Sequence, residues 1–382
     1  MSAGEHKPEI LFATIAAGGG HVAGAHAMSE AIEFYYPRCF GLRVSDYMEE
    51  LGIMQLDRFH KDSWRRALRY PVLARVGQRV IDAFPRLTIA AERRILRGFA
   101  RAAAEDLKKD PPLLVVSNHG LITTGLAEAK HRYSLEVPVL TFATEPFNIS
   151  AYWAEPRADR VIAASEDGRR RLLRFGVPAD RMTIIGRPVR QAFLNAPAKP
   201  EAREQLGLED RFTCLVSFGG EGLGRDPGGL IRTVLDSDVP LQVVAITGRN
   251  KVLEEELRRL RPGTNSLRVE GFVDNLATYL AASDVFVGKA GPSSVYEALA
   301  VGRPVLASGY AGLNELGVVR FIKNEGVGRY VRKGAALRRE VQRYAGDPTL
   351  LEEVARRCRQ LDLASSTERF AHHIVSYALT GA

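Results

Sequence analysis

The stretch ILFATIAAGGGHVAGAHAMSEAI, residues Ile10 to Ile32, places three glycines and a histidine inside an otherwise apolar run. Its first part, Ile10 to Ile15, predicts a buried strand, and Ala23 to Phe34 predicts a helix, so AAGGGH is expected to be the connecting loop. Glycine lets a backbone approach a ligand closely, and free N–H groups at a helix start favour negative charge. We therefore expect Gly18, Gly19 and Gly20 to face a ligand, with His21 at the mouth of the loop.

The same strand-then-helix alternation recurs along the chain. LLVVSN, PVLTFAT and RVIAAS read as strands that are followed by helical patterns, and a second series begins after the Pro- and Ala-rich stretch from Asn195 to Gly207. Such alternation predicts parallel sheets covered by helices on both faces. We predict an α/β protein with two doubly wound domains, 1–195 and 196–365, and a C-terminal helix, 366–382, that packs back on the first domain.

The composition is that of a globular protein, with 46% hydrophobic and 26% charged residues among 382. Cys39, Cys214 and Cys358 are far apart and make no metal-ligand spacing, so neither a disulfide framework nor a zinc site is indicated. The N-terminus lacks the basic region of a signal peptide, and no run approaches the roughly 18 to 20 apolar residues of a membrane helix. A cytoplasmic location fits these features best.

The net charge of +8 implies an anionic partner. The segment from Arg58 to Arg101 is rich in arginine and spaced apolar residues, which predicts one or two amphipathic helices on an anionic membrane surface. Its expected membrane contacts are Trp64, Arg65, Arg66 and Arg69. The alternative is a solvated arginine face. Nucleic-acid binding is disfavoured, since there is no RNP, KH or helix-turn-helix signature.

Two further strand-to-helix turns carry ligand-binding signals. In SFGGEGLG, Gly219, Gly220 and Gly222 predict a backbone that meets phosphate. In VFVGKAGPSSVYEALAVGRPVL, residues Pro292 to Ser294 open a helix that carries Glu297. Amides and hydroxyls at a helix start suit a diphosphate, and the glutamate suits ribose hydroxyls. Plain N-capping is the alternative.

Four other residues are candidates for contact with the same ligand. Arg190 in GRPVR and Arg249 in TGRN suit phosphate or sugar, and Phe272 and Val273 follow a strand where they would flank a planar base. Solvated arginines and ordinary core packing are the alternatives.

These motifs, in this order, resemble glycosyltransferase family 28, and KAGPSSVYEA is the most specific of them. The resemblance is greatest to the monogalactosyldiacylglycerol synthases and the bacterial processive diacylglycerol glucosyltransferases. It implies the GT-B fold, in which two Rossmann-like domains face each other across a cleft. The C-terminal domain would bind the UDP-sugar and the N-terminal domain the acceptor.

The resemblance also implies residue roles on the donor side. Phe272 and Val273 would border the uracil, and Glu297 would hold the ribose. Asn314 and Glu315 would read the sugar. The start of the helix and the glycine-rich turn would meet the diphosphate, with Arg190 nearby. The turn comprises Gly219, Gly220, Glu221 and Gly222, and the helix start comprises Gly291, Pro292, Ser293 and Ser294.

The acceptor half departs from the family pattern. The relatives' Asp followed by His-Pro-x-Trp-x-His corresponds here to TEPFNISAYWAEP. Glu145 stands at the aspartate, Ser150 and Glu155 replace the two histidines, and Trp153 is retained. The family's GPGT is GPSS here, and Asn314 replaces its usual glutamine, so the identity of the hexose stays open.

The family reacts with inversion, and the resemblance implies His21 as the base, with Glu145 as the second candidate. Helix-end amides, serine hydroxyls and arginine would neutralise the departing UDP, so we expect no metal and no other cofactor. The expected function is hexose transfer from a UDP-hexose to a lipid, diacylglycerol first, by a peripheral protein on the inner face of the cell membrane. Alternatives are a UDP-GlcNAc-dependent transferase of lipid-linked envelope precursors, a UDP-GlcNAc 2-epimerase, and a UDP-binding protein without turnover. The number of sugars added and the oligomeric state stay open.

Overall fold

The computed structural model of the chain describes residues 7–16, 19–222, 224, 226–261, 263–310, 312–332 and 334–381, without the side chains of 64, 67–69 and 71. The chain divides into two α/β units. The first comprises Met1–Gln191, Ala311–Asn314 and Ala364–Ala382, and the second comprises Ala192–Tyr310 and Glu315–Leu363.

A parallel six-stranded sheet forms the centre of the first unit, in the order β2-β1-β3-β4-β5-β6. Its strands are β1 (Glu9–Thr14), β2 (Gly41–Asp46), β3 (Leu114–Ser117), β4 (Val139–Ala143), β5 (Arg160–Ala163) and β6 (Met182–Ile184). Because β2 and β3 lie on opposite sides of β1, the strand order reverses between β1 and β3. Ligands of such sheets bind outside the carboxyl ends of the strands at this reversal.

Helices cover both faces of the first sheet. They are α1 (Gly19–Tyr35), α2 (Tyr47–Glu50), α3 (Met54–Arg69), α4 (Pro71–Ala83), α5 (Pro85–Ile95), α6 (Arg97–Lys109), α7 (Gly120–Tyr133) and α8 (Glu166–Arg174), with 3-10 turns at Ala151–Trp153 and Ala179–Arg181. One face packs on α1 through residues such as Met28, and on a C-terminal helix, Leu363–Thr380, whose Phe370 ring lies 4.8 Å from that of Phe142. The other face packs on α6 and α7, where Phe99 and Leu126 are buried.

Helix α1 begins at Gly19, four residues before the predicted start at Ala23. Gly19, Gly20 and His21 therefore belong to its first turn rather than to a loop, whereas Gly18 lies outside the described residues. The apolar periodicity misses this turn because burial of the helix begins at Gly24 and Ala25. The first N–H groups of a helix have no intrahelical partner, so this turn needs no buried side chain to form.

The basic segment forms four helices, α3 to α6, where the sequence predicted one or two. Pro71 and Pro85 each occupy the first position of a helix. Proline is favourable there but breaks a helix interior, so each one ends the preceding helix and starts the next. None of the helices in the described ranges has both the length and the apolar character needed to cross a membrane.

The second unit has its own parallel sheet, in the order β12-β11-β10-β7-β8-β9, which reverses between β7 and β10. Its strands are β7 (Thr213–Ser217), β8 (Gln242–Ile246), β9 (Ser266–Glu270), β10 (Val285–Lys289), β11 (Val305–Gly309) and β12 (Gly328–Tyr330). The remaining helices of the chain, including the C-terminal helix that packs on the first sheet, are α9 (Gln191–Leu194), α10 (Lys199–Leu206), α11 (Pro227–Leu235), α12 (Lys251–Arg258), α13 (Leu276–Ala282), α14 (Pro292–Ala300), α15 (Leu313–Asn324), α16 (Gly334–Gly346), α17 (Pro348–Gln360) and α18 (Leu363–Thr380). The glycine-bearing turns of the sequence analysis follow β7 and β10, the two strands at the reversal.

Candidate functional site

At the reversal point of the first sheet, His21 in the first turn of α1 meets the residues that follow β3. The Nδ1 atom of His21 lies 3.0 Å from the backbone oxygen of Asn118. In return, Nδ2 of Asn118 donates to the backbone oxygen of His21 at 2.7 Å. A carbonyl oxygen only accepts, so Nδ1 carries the proton and the lone pair of the neutral ring is on Nε2. His21 is thus oriented as a hydrogen-bond acceptor or base.

Two histidines that the sequence analysis did not identify stand beside His21. The ring centroid of His119 lies 4.8 Å from that of His21, and the centroid of His60 lies 4.9 Å from that of His119. His119 lies two residues after β3, so its place near a strand end was a signal that could have revealed it. His60 lies on α3, and no local pattern marks it. No set of three or more His, Cys, Asp or Glu within the described ranges is arranged to hold a metal ion.

The histidine cluster, His21, His60 and His119, is uncharged at neutral pH. Burial lowers the pKa of His21 to about 4, and the hydrogen bond to Asn118 opposes this shift only in part. Burial, with the nearby charge of Lys61, lowers the pKa of His60 to about 4. The pKa of His119 is lowered well below its usual value by burial and by the other two rings. The cluster therefore offers imidazole nitrogens rather than positive charges.

Tyr152 and Trp153 enclose the histidine cluster from the 3-10 turn. The Tyr152 hydroxyl lies 3.2 Å from Nδ1 of His119. The Trp153 ring is fully buried, with its centroid 5.9 Å from that of His21. Burial raises the pKa of Tyr152 well above its usual value. The retained tryptophan thus packs on the expected base.

The two positions that replace family histidines have structural partners. Glu155 is 1% exposed and accepts from Nε and Nη2 of Arg93, at 2.9 and 2.5 Å, and from the backbone N–H of Arg157. Ser150 Oγ donates to Oδ1 of Asp82 at 2.9 Å. These bonds hold the loop after β4 to α4 and α5, so neither residue is placed as an acid or base.

Glu145, the second candidate base, follows β4 and is half-buried. Its Oε1 accepts from Nδ2 of Asn314 at 3.0 Å, and both residues belong to the first unit. The sequence analysis gave Asn314 and Glu315 one shared role, but Glu315 belongs to the second unit.

In the second unit, Gly219 to Gly222 form a tight turn after β7. The Gly222 N–H donates to the Gly219 oxygen at 2.9 Å, and both residues have positive φ, 79° and 60°. A Cβ on Gly222 would lie 1.9 Å from the backbone oxygen of Thr247. The turn therefore requires glycine for both its conformation and its packing against the end of β8.

Arg249 and Phe272 stand over this turn. The Arg249 guanidinium lies 4.9 Å from the centroid of the Phe272 ring and pairs with Glu221 at 3.2 Å. A Cβ on Gly220 would be 3.9 Å from each of the two side chains. Phe272 is 54% exposed, whereas Val273 is half-buried. An exposed aromatic face with a cation above it suits a planar ligand group.

The start of α14 forms the other side of this reversal point. Gly291 is its N-cap and Pro292 its first residue, so the amides of the first turn, with Ser293 and Ser294, lie at the end of β10. Glu297 is buried farther along the helix.

Lys289 is a candidate that the sequence analysis missed, although it stands at the strand end in VFVGKAGPSS. Its Nζ donates to Oε1 of the buried Glu315 at 3.0 Å and lies 3.6 Å from the Cβ position of Gly291. An ammonium group therefore stands beside the start of α14, where anions are favoured.

The remaining predicted residues belong to the first unit. Arg190 is half-buried in the first unit. Arg65 and Arg66 are exposed on α3. The side chains of Trp64 and Arg69, which were predicted to touch a membrane, lie outside the described residues.

Large apolar side chains are exposed along α3 to α5. Val72, Val76 and Val80 recur every four residues and share one face of α4. Exposed apolar surface on this scale marks an interaction site. Among the described side chains from α3 to α5, including the residues that join these helices, the apolar ones that are more than half exposed are here called the apolar face: Phe59, Tyr70, Val72, Leu73, Val76, Val80, Phe84, Leu87 and Ile95. Exposed arginines lie among them at 65, 66, 79, 86 and 94.

Family comparisons match each unit of the chain. Residues 230–307 match the glycosyltransferase family 28 C-terminal domain, and residues 57–192 match glycosyltransferase family 4. The chain is 26% identical over 353 residues to a probable monogalactosyldiacylglycerol synthase of Nicotiana tabacum, covering 90% of this chain and 65% of the relative. It is 25% identical over 250 residues to a processive diacylglycerol beta-glucosyltransferase of Staphylococcus saprophyticus, covering 65% of this chain and 63% of the relative. The chain thus spans about two thirds of the length of these relatives.

Solved structures share the fold. Acinetobacter baumannii MurG superposes with a TM-score of 0.59 at 14% identity, covering 92% of this chain and 95% of MurG. Anabaena Alr3699/HepE, solved in complex with UDP, superposes with a TM-score of 0.55 at 17% identity, covering 98% of this chain and 100% of that protein. The expected GT-B fold class, with two doubly wound α/β units, is confirmed. The chain is therefore similar to glycosyltransferases, and residues 230–307 of its second unit match the family 28 C-terminal domain.

Proposed function

We propose that this chain is a glycosyltransferase that moves a hexose, glucose or galactose, from a UDP-sugar to a lipid acceptor, diacylglycerol first, with inversion at the anomeric carbon. The names of its curated relatives support this acceptor. The observation that carries the proposal is that the Gly219–Gly222 turn and the start of α14 follow β7 and β10, the neighbouring strands at which the second sheet reverses.

On the donor side, the uracil packs beside Phe272 and Arg249, and Glu297 accepts from the ribose hydroxyls. The diphosphate lies against the glycine turn and the first amides of α14. Lys289 supplies a positive charge there, and Glu315, its partner, accepts from the hexose. These groups stabilise the departing UDP by electrostatics, so we expect no tightly bound metal, and transfer should survive treatment with a chelator.

On the acceptor side, Nε2 of His21 accepts the proton of the attacking hydroxyl. The support for this role is the bond from Nδ1 to Asn118, which leaves Nε2 with its lone pair. Glu145 is the second candidate base. The hydroxyl oxygen forms the new bond to the anomeric carbon as the bond to UDP breaks.

The apolar face docks on an anionic membrane, as expected of a peripheral protein on the inner face of the cell membrane. Apolar side chains such as Leu73 and Val76 enter the interface, and the neighbouring arginines meet anionic headgroups. This places the acceptor side of the enzyme where its lipid is found.

The test is incubation of the purified protein with UDP-glucose, UDP-galactose, UDP-GlcNAc or UDP-glucuronate and vesicles that contain diacylglycerol, ceramide or a polyprenyl phosphate. Mass spectrometry reads the glycolipid. We expect hexosyl-diacylglycerol. A GlcNAc product on the polyprenyl lipid would replace the proposed acceptor, and UDP binding without any product would overturn the proposed function.

Membrane docking is tested with Leu73→Glu/Val76→Glu in a vesicle sedimentation assay. Val252→Glu is the matched control, because Val252 is an exposed valine on α12 of the other unit. We expect the double variant to lose vesicle binding and to retain its UDP affinity, while the control binds vesicles normally. Equal vesicle binding by wild type, the double variant and the control would show that the apolar face has another use.

A further inference from the structure

Within the described residues, His60 is the member of the histidine cluster whose ring nitrogens make no hydrogen bond. Nδ1 of His21 donates to Asn118, and His119 contacts the Tyr152 hydroxyl. Within the described part of the chain, the contacts of the His60 ring are with other rings, and none is a hydrogen bond. The residue is half-buried rather than fully buried.

The position of His60 is set by the residue that follows it. Nζ of Lys61 lies 2.7 Å from Oδ2 of Asp46 at the end of β2, and 2.8 Å from Oδ2 of the buried Asp57. The pair with Asp46 ties α3 to the carboxyl end of the first sheet, and the pair with Asp57 lies within α3. The His60 ring then lies parallel to the Tyr152 ring, with centroids 6.4 Å apart, and edge-on to His119.

Helix α3 carries both His60 and part of the apolar face. The preceding residue, Phe59, is 68% exposed and belongs to that face. A lipid that docks at the apolar face is therefore near the helix that carries His60. Because the three rings are neutral, hydrogen bonding is the interaction they offer to its headgroup.

We propose that His60 is a second acceptor-binding residue, which hydrogen-bonds an uncharged hydroxyl or ester group of the lipid headgroup while His21 receives the attacking hydroxyl. The inference rests on the proposed function and deepens it, since it names the residue and the acceptor class. The acceptor in this proposal is a lipid with an uncharged headgroup.

The test compares His60→Ala and His60→Gln with wild type and with His131→Ala, an exposed histidine of α7. The assay is steady-state transfer to diacylglycerol in mixed vesicles, with UDP affinity by calorimetry and melting temperature for each protein. We expect His60→Ala to lower kcat/KM for the lipid at least tenfold, mainly through KM, at unchanged UDP affinity. His60→Gln should recover part of this loss, because its amide donates and accepts, and His131→Ala should match wild type.

The proposal fails if kcat/KM for the lipid in His60→Ala stays within twofold of wild type. It fails equally if both His60 variants lose the same activity together with melting temperature, since His60 would then be structural. Faster transfer by wild type to a polyprenyl phosphate than to diacylglycerol would overturn the acceptor class alone. Absence of any lipid product from wild type would instead refute the proposed function, and this inference with it.

Discussion

Asn118 and His21 hold each other through two reciprocal hydrogen bonds, from the His21 ring to the Asn118 carbonyl at 3.0 Å and from the Asn118 side chain to the His21 carbonyl at 2.7 Å. The pair joins the first turn of α1 to the end of β3, which are the two sides of the reversal point. One contact therefore sets both the position of the proposed base and its tautomer.

The pH dependence of transfer follows from the burial of His21. Its pKa is lowered to about 4 by burial and, to a smaller extent, by His60 and Arg187, against the hydrogen bond to Asn118. The ring loses its lone pair on protonation, so kcat/KM should be flat from pH 5 to 8 and fall as pH decreases through about 4. His21→Ala should lower the rate by roughly 10²- to 10⁴-fold. A pH–rate profile, with circular dichroism as the folding control, tests this; a limb centred near pH 6.5 would contradict it.

Lys289→Ala should weaken UDP binding about tenfold, because it removes a charge-assisted contact beside the start of α14. Lys251→Ala is the matched control, since Lys251 is exposed and pairs with Glu254 on α12. Isothermal titration calorimetry with UDP compares the two variants. Equal dissociation constants would remove Lys289 from the donor site.

Variants at Gly222 and Gly207 distinguish the energetic cost of a left-handed backbone conformation from the cost of close packing. Both have φ of 60°, but a Cβ on Gly207 meets nothing within 4 Å, whereas one on Gly222 would lie 1.9 Å from the Thr247 oxygen. Gly207→Ala should cost about 1 to 2 kcal/mol for the left-handed conformation alone. Gly222→Ala should cost more and abolish UDP binding. Urea unfolding measures stability, and calorimetry measures UDP binding. Equal losses of stability in the two variants would mean that the turn accommodates the added Cβ of Gly222→Ala without a packing cost.

Glu92 on α5 should make the protein less stable in alkali. Burial first, and then the charge of Glu155, raises its pKa to about 8, against a hydrogen bond from Thr124. The folded state then binds a proton that the unfolded state releases near pH 4.5. The contribution of the protonated Glu92 to the free energy of unfolding is fully present below about pH 4.5 and is lost as pH rises through 8.

We therefore expect Glu92→Gln to gain stability relative to wild type between pH 5 and 9, by an amount of the order of 2 kcal/mol. Glu105→Gln, an exposed acid on α6, controls for the loss of a charge. Urea unfolding at both pH values supplies the comparison. A difference between Glu92→Gln and wild type that is independent of pH would mean that Glu92 is ionised throughout.

The second-unit candidates were accessible from sequence because they are local. A strand followed by glycines, or by Pro292 and two serines, predicts a strand-to-helix turn from neighbouring residues alone. Both turns lie at the reversal of the sheet. Lys289 was not identified, because the sequence does not distinguish a lysine at a strand end from a solvated lysine. The ion pair with Glu315, which lies 26 residues away in sequence, makes the difference.

The first-unit cluster was not accessible in the same way. His21, His60 and His119 come from three elements separated by tens of residues, and no periodicity records that their rings meet. Comparison with the family pattern instead drew attention to Ser150 and Glu155, whose partners, Asp82 and Arg93, are equally remote in sequence.

The sequence by itself determined the α/β class, the two series of strands and helices, and the glycine-bearing ends of β1, β7 and β10. Periodicity and turn chemistry are properties of neighbouring residues, so they can be read along the chain. Only the tertiary structure decided that His60 and His119 join His21, that Glu155 is neutralised in an ion pair, and that α3 to α5 leave an apolar face exposed. These features depend on which strands are neighbours in the sheet and how helices pack on them, which sequence spacing does not encode.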